Sequence, residues 1–139
     1  MESMTEEQTE SKQKILIIED DFFVRDLYDR ELSREGFEVS TAEDGAEGLL
    51  KVIEEKPDLI LLDIMLPKMS GLDVLKKIKE KEGVKDIPVV LLTNLGQDNI
   101  IREGFTLGAV GYLIKAAYTP TQIIEEVKKF LRESEKSQP

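Results

Sequence analysis

The sequence contains no cysteine and no histidine. The first absence excludes disulfides, thiolate metal sites and a cysteine nucleophile. The second removes Ser–His and Cys–His catalysis, zinc–histidine centres and any phosphohistidine carried by the chain itself. No apolar run approaches the roughly 18 residues that suggest a membrane-spanning helix, and residues 1–13 lack an apolar signal core. Positive charge is scarce: 19 Lys and Arg stand against 29 Asp and Glu, a net charge of −10. Such a surface repels nucleic-acid phosphates and anionic lipid. The composition therefore predicts a soluble, cytoplasmic protein with no direct nucleic-acid contact and no membrane contact. At 139 residues, one domain with a single core is the expectation.

Residues 1–13 are polar and acidic without hydrophobic periodicity and read as a disordered acidic tail. Residues 133–139 read as a polar C-terminal tail, leaving 14–132 for the folded domain. Within it, five apolar runs (15–18, 37–41, 59–62, 89–92 and 112–114) alternate with helical patterns. Four are apolar at successive positions, as in strands covered on both faces. The second alternates, which suits a half-exposed edge strand. Helical stripes follow: Val24, Leu27, Tyr28 and Leu32; Ala46, Leu49, Leu50 and Ile53; Leu75 and Ile78; then Ile123, Ile124, Val127, Phe130 and Leu131. Asp21 fits an N-cap, the pairs Asp44/Glu47, Ser70/Asp73 and Thr119/Gln122 fit or approach capping boxes, and Pro120 takes a first helical position. A fourth helix near 98–107 is weakened by Gly104.

Five strand–helix units imply a doubly wound α/β fold: a parallel sheet with helices on both faces. Ligands in such sheets bind beyond the carboxyl ends of the strands. Those ends carry Glu19, Asp20 and Asp21 after the first run, Asp63 after the third, Thr93 after the fourth and Lys115 after the fifth. Each alone is an ordinary cap, turn former or solvated terminus. Their joint placement at four strand ends is what such roles fail to predict. Crowded carboxylates repel, and a divalent cation relieves that cost; an all-oxygen set with room for water suits Mg²⁺.

The segments ILIIEDD, LLDIMLPKMSGLDVL, VVLLTN and GYLIK, in that order, closely resemble the receiver domain of two-component response regulators. Pro67 and Gly71, four and eight residues after Asp63, match the family's aspartate-loop signature. The resemblance spans 14–132 and implies a flavodoxin-like, five-stranded parallel sheet in order 2-1-3-4-5 with five helices. It implies that Asp63 is the phosphoacceptor, supplied by a histidine kinase or a histidine phosphotransfer protein. Mg²⁺ would be held by Asp20 and Asp63, by Glu19 largely through water, and by the backbone carbonyl of Met65. Lys115 and Thr93 would each bind a phosphoryl oxygen, and Thr93 with Tyr112 would form the switch. Tyr112 equally fits a half-buried strand aromatic with no switching role. The remodelled surface would be the fourth helix, fifth strand and fifth helix, with apolar area from Ile100, Ile101 and Phe105. Only a short polar tail follows the last helix, so a stand-alone regulator of the chemotaxis kind is expected. It would act on a downstream protein partner or as a homodimer through that surface, and would not be an enzyme.

Three departures from the family pattern carry their own expectations. Ala116 follows Lys115 where the family usually has proline; a non-proline cis bond costs about 3 kcal/mol, so a trans bond is predicted. Asn94 replaces a small residue, which predicts narrower access to the site. Met65 and Leu95 are apolar and orient no attacking water, which predicts slow hydrolysis of a phosphoryl-aspartate. Two rivals stay open: a receiver-shaped scaffold that takes no phosphoryl group, and an aspartyl-phosphate phosphohydrolase. The latter class typically carries a second Asp two residues after its nucleophile, where this chain has Met65.

Overall fold

The computed structural model describes residues 12–94 and 97–136. Residues 1–11 of the expected acidic tail, and Leu95, lie outside these. The chain runs β1 (Lys14–Ile18), α1 (Phe22–Arg34), β2 (Glu38–Ala42), α2 (Gly45–Glu55), β3 (Leu59–Asp63), α3 (Gly71–Lys79), β4 (Val89–Thr93) and α4 (Asp98–Thr106). It ends with β5 (Gly111–Ile114), a 3₁₀ turn (Lys115–Ala117) and α5 (Pro120–Lys136). All five strands are parallel, in the order β2-β1-β3-β4-β5. Among the described residues no helix is long and apolar enough to cross a membrane.

Successive strand residues point to opposite faces, so an unbroken apolar run supplies two cores at once. Ile15, Ile17, Leu59, Leu61, Val90 and Leu92 pack with α1 and α5 through Tyr28, Leu32, Ile123 and Val127. Leu16, Ile18, Ile60, Leu62, Val89 and Leu91 pack on the other face with Val52, Val74, Leu75 and Ile78. Every residue of β3 and β4 is buried. β2 is the expected edge strand. β5 is the other edge: it departs from a strand covered on both faces, because Gly111 and Leu113 are buried while Tyr112 faces out.

Helix starts follow the expected chemistry. Asp21 accepts N–H bonds from Phe23 and Val24, Asp44 from Glu47, and Ser70 from Asp73. Thr119 and Gln122 form a reciprocal box, with bonds of 2.8 and 3.2 Å. No cis peptide bond occurs among the described residues, so Lys115–Ala116 is trans.

Three helices differ from the sequence-based expectation. In α2 the buried positions are Gly45, Gly48 and Val52, whereas Ala46, Leu50 and Ile53 are exposed. The glycines let the helix approach closely: a Cβ on Gly48 would fall 2.6 Å from the Ile18 side chain, and one on Gly45 2.8 Å from Val74. A hydrophobic stripe counts side chains, and the contacting face here has almost none. Gly104 likewise seats α4 against Leu91, where a Cβ would come within 2.3 Å, so the helix runs through it unbroken. α5 continues to Lys136, into the segment read as a polar tail.

Candidate functional site

The sheet brings the ends of β1, β3, β4 and β5 to one edge. Glu19, directly after β1, is buried, as are Asp63 at the end of β3 and Thr93 at the end of β4; Asp20 is exposed. Carboxylate oxygens of Glu19, Asp20 and Asp63 lie within 4.8 Å of one another. From β5, Lys115 reaches both buried acids, with Nζ 3.0 Å from Glu19 Oε1 and 3.3 Å from Asp63 Oδ2. The other Glu19 oxygen accepts the Asp21 N–H at 3.0 Å, and Asp63 Oδ1 accepts the Met65 N–H at 3.1 Å.

These contacts set the charge states. Burial, reinforced by the Asp63 carboxylate, pushes Glu19 up to about 7 against the pull of the Asp21 N–H and Lys115. Burial alone would lower the Lys115 ammonium, but its bonds and charge contacts with Glu19 and Asp63 leave it raised. With all groups ionised, three carboxylates and one ammonium leave two negative charges in one cleft. The donor set is oxygen only, and a hard divalent cation matches both its chemistry and its residual charge.

The loop after Asp63 is shaped for close approach. Gly71 donates its N–H to Ile64 O at 2.8 Å, and a Cβ there would fall 2.2 Å from the Asp63 carbonyl oxygen. The spacing from Asp63 to Gly71 is therefore a steric requirement. Lys68, next to Pro67, adopts a left-handed φ of 69° in the same loop.

Two participants were not legible in the sequence. Arg25 Nη1 donates to the backbone carbonyls of Glu19 at 2.9 Å and Asp20 at 3.2 Å, which fixes the loop carrying the acidic pair. Gln97 accepts the hydroxyl of Thr93, so Thr93 stands at the cleft with its proton already engaged. An arginine one turn into a helix and a glutamine in a loop carry no periodic signature. Tyr112 lies outward, edge-to-face with Phe105 of α4 at 6.1 Å.

The family model for the response regulator receiver domain matches residues 15–128. The chain belongs to this family. Its fold is shared at TM-score 0.85 with a CheY-like receiver domain protein of Methanospirillum hungatei, 31% identical over 92% of this chain and all of that one. The chemotaxis protein CheY4 of Vibrio cholerae matches at TM-score 0.80 and 28% identity, over 86% of this chain and 98% of CheY4. Curated relatives include the DNA-binding dual master transcriptional regulator RpaA of Synechocystis sp., 38% identical over 88% of this chain and 51% of RpaA. The alkaline phosphatase synthesis transcriptional regulatory protein PhoP of Bacillus subtilis is also 38% identical, over 91% of this chain and 51% of PhoP.

The expectation of a stand-alone domain whose partners exclude nucleic acid is thereby overturned. The receiver domain spans about half the length of these relatives, one of which is named as DNA-binding. The net charge of −10 describes this chain's own surface. It carries no information about the DNA contacts of relatives that are about twice as long. The stand-alone reading, with a protein partner or homodimer as its output, rested on the short polar tail after the last helix, and the length of these relatives removes that ground.

Proposed function

We propose that this receiver domain is a Mg²⁺-dependent phosphoryl switch with Asp63 as acceptor. The Asp63 carboxylate attacks phosphorus, the bond from phosphorus to the imidazole nitrogen of a histidine kinase or phosphotransfer protein breaks, and an acyl phosphate forms. Glu19, Asp20, Asp63 and the Met65 carbonyl would hold the Mg²⁺, which when bound neutralises phosphoryl oxygens. Lys115 supplies a second positive charge and Thr93 a hydroxyl. The transfer needs charge neutralisation and in-line placement rather than acid–base groups, which accords with a chain lacking histidine. The domain is an acceptor, not an enzyme. Movement of Thr93 and Tyr112 carries the change to the α4–β5–α5 surface, and the names of the relatives point its output toward transcriptional control. The observation that carries this reading is the cluster of three carboxylates within 4.8 Å, spanned by Lys115.

Intact mass after incubation with a small-molecule phosphodonor tests it. One added phosphoryl group is expected, dependent on Mg²⁺ and absent from Asp63→Asn. An adduct retained in that variant would place the acceptor elsewhere. No adduct and no beryllofluoride binding in the presence of Mg²⁺ would leave a receiver-shaped scaffold. Turnover of a generic phosphate ester would establish a hydrolase.

A further inference from the structure

Thr93 is buried and its hydroxyl is already engaged by neighbouring groups. Oγ1 donates to Gln97 Oε1, with the Asn94 carbonyl a second acceptor at 3.1 Å. The same Gln97 oxygen accepts the Asn94 backbone N–H at 3.1 Å, and Gln97 Nε2 reaches Met65 Sδ at 3.2 Å. Gln97 stands at the N-cap position of α4, yet its side chain caps none of that helix's N–H groups. It turns back instead, onto the end of β4 and the loop after β3. Ser, Thr, Asp or Asn in that position ordinarily serves the helix; this longer side chain serves the rim of the phosphoryl site.

We infer that Gln97 is a latch on Thr93, a positioning residue that holds the hydroxyl in the unphosphorylated arrangement and sets the cost of recruiting it. The inference rests on the proposed function and adds to it the residue that biases the switch. A threonine hydroxyl has one proton, which it gives to Gln97, to the Asn94 carbonyl or to a phosphoryl oxygen. Recruitment therefore breaks the Gln97 bond, and a charge-assisted bond to the phosphoryl group replaces it. Release leaves no orphan, because Gln97 Oε1 keeps the Asn94 N–H and Gln97 is only half-buried. Breaking one such bond corresponds to about a five-fold change in affinity. A latch of that size lowers the response to a phosphoryl group without abolishing it.

The test is a beryllofluoride titration in Mg²⁺ of the wild type, Gln97→Ala, Gln97→Glu, Thr93→Ala and the Thr93→Ala/Gln97→Ala pair. Gln97→Ala is expected to bind about five-fold tighter than wild type. Gln97→Glu keeps an acceptor oxygen for Thr93 and is expected to bind no tighter than wild type, its added negative charge acting in the same direction; the Thr93→Ala/Gln97→Ala pair is the arm that separates a latch from a purely structural role. Adding Gln97→Ala to Thr93→Ala should change nothing, since the latch then has nothing to hold. Unchanged or weaker binding by Gln97→Ala, or a gain that persists without the Thr93 hydroxyl, overturns the latch alone. A wild type that binds no beryllofluoride overturns the latch together with the function on which it rests.

Discussion

Glu19 bears the cost of assembling the cleft. Its folded-state carboxyl titrates near 7, above the ordinary glutamate range, chiefly because it is buried. Between those two values the folded protein holds a proton that the unfolded chain has released, so stability falls as pH rises through that window. Urea midpoints in the absence of Mg²⁺ should decline over about pH 5 to 7.5, and Glu19→Gln should flatten the decline. Gly71 is the steric counterpart. An alanine there would press its methyl on the Asp63 carbonyl, 2.2 Å from an ideal Cβ, with backbone on both sides of the clash. Gly71→Ala should cost about 2–3 kcal/mol in denaturant melts and slow the proposed phosphorylation of Asp63. Asp63, Thr93 and Lys115 were legible because each ends or directly follows an apolar run, and Glu19 and Asp20 directly follow the first. Gln97 was not, since the direction in which a loop side chain turns leaves no mark on periodicity.

At the scale of elements, strand positions followed from the apolar runs and helix starts from capping pairs, because both are local properties. α2 shows where that logic stops: its buried face is built on Gly45 and Gly48, and its larger apolar side chains look outward. Leu50→Gln should change stability by no more than about 0.5 kcal/mol. Val52→Ala, on the buried face, should cost about 2 kcal/mol. Thermal melts of the two variants distinguish the two faces. The same helix ends on Lys56 in a left-handed conformation at φ 48°. Glycine is the residue that tolerates this position, so Lys56→Gly should stabilise the domain by about 0.5–1 kcal/mol in the same assay.

For the whole molecule, the residual negative charge of the cleft would couple the proposed Mg²⁺ binding to folding. At a Mg²⁺ concentration a hundred-fold above its dissociation constant, binding should add about 2.7 kcal/mol, which raises Tm by roughly 10 °C for a domain of this size. Calorimetry should show the rise vanishing with a chelator and shrinking in Asp20→Asn. Sheet order and family could be read from four short segments, whereas the length of the relatives could not. Residue patterns inside a domain do not encode what is joined to it, and net charge describes only the surface to which it belongs. The burial of every residue in β3 and β4 has a consequence for how a signal leaves the cleft. Amides there exchange with solvent only when the domain opens globally. Phosphorylation at Asp63 would thus be delivered to the slowest-exchanging part of the chain, which acts as an anvil. Deuterium uptake in these strands should change together and only as far as global stability changes, while segment-specific differences appear at the rim, where side chains from neighbouring elements are free to trade partners.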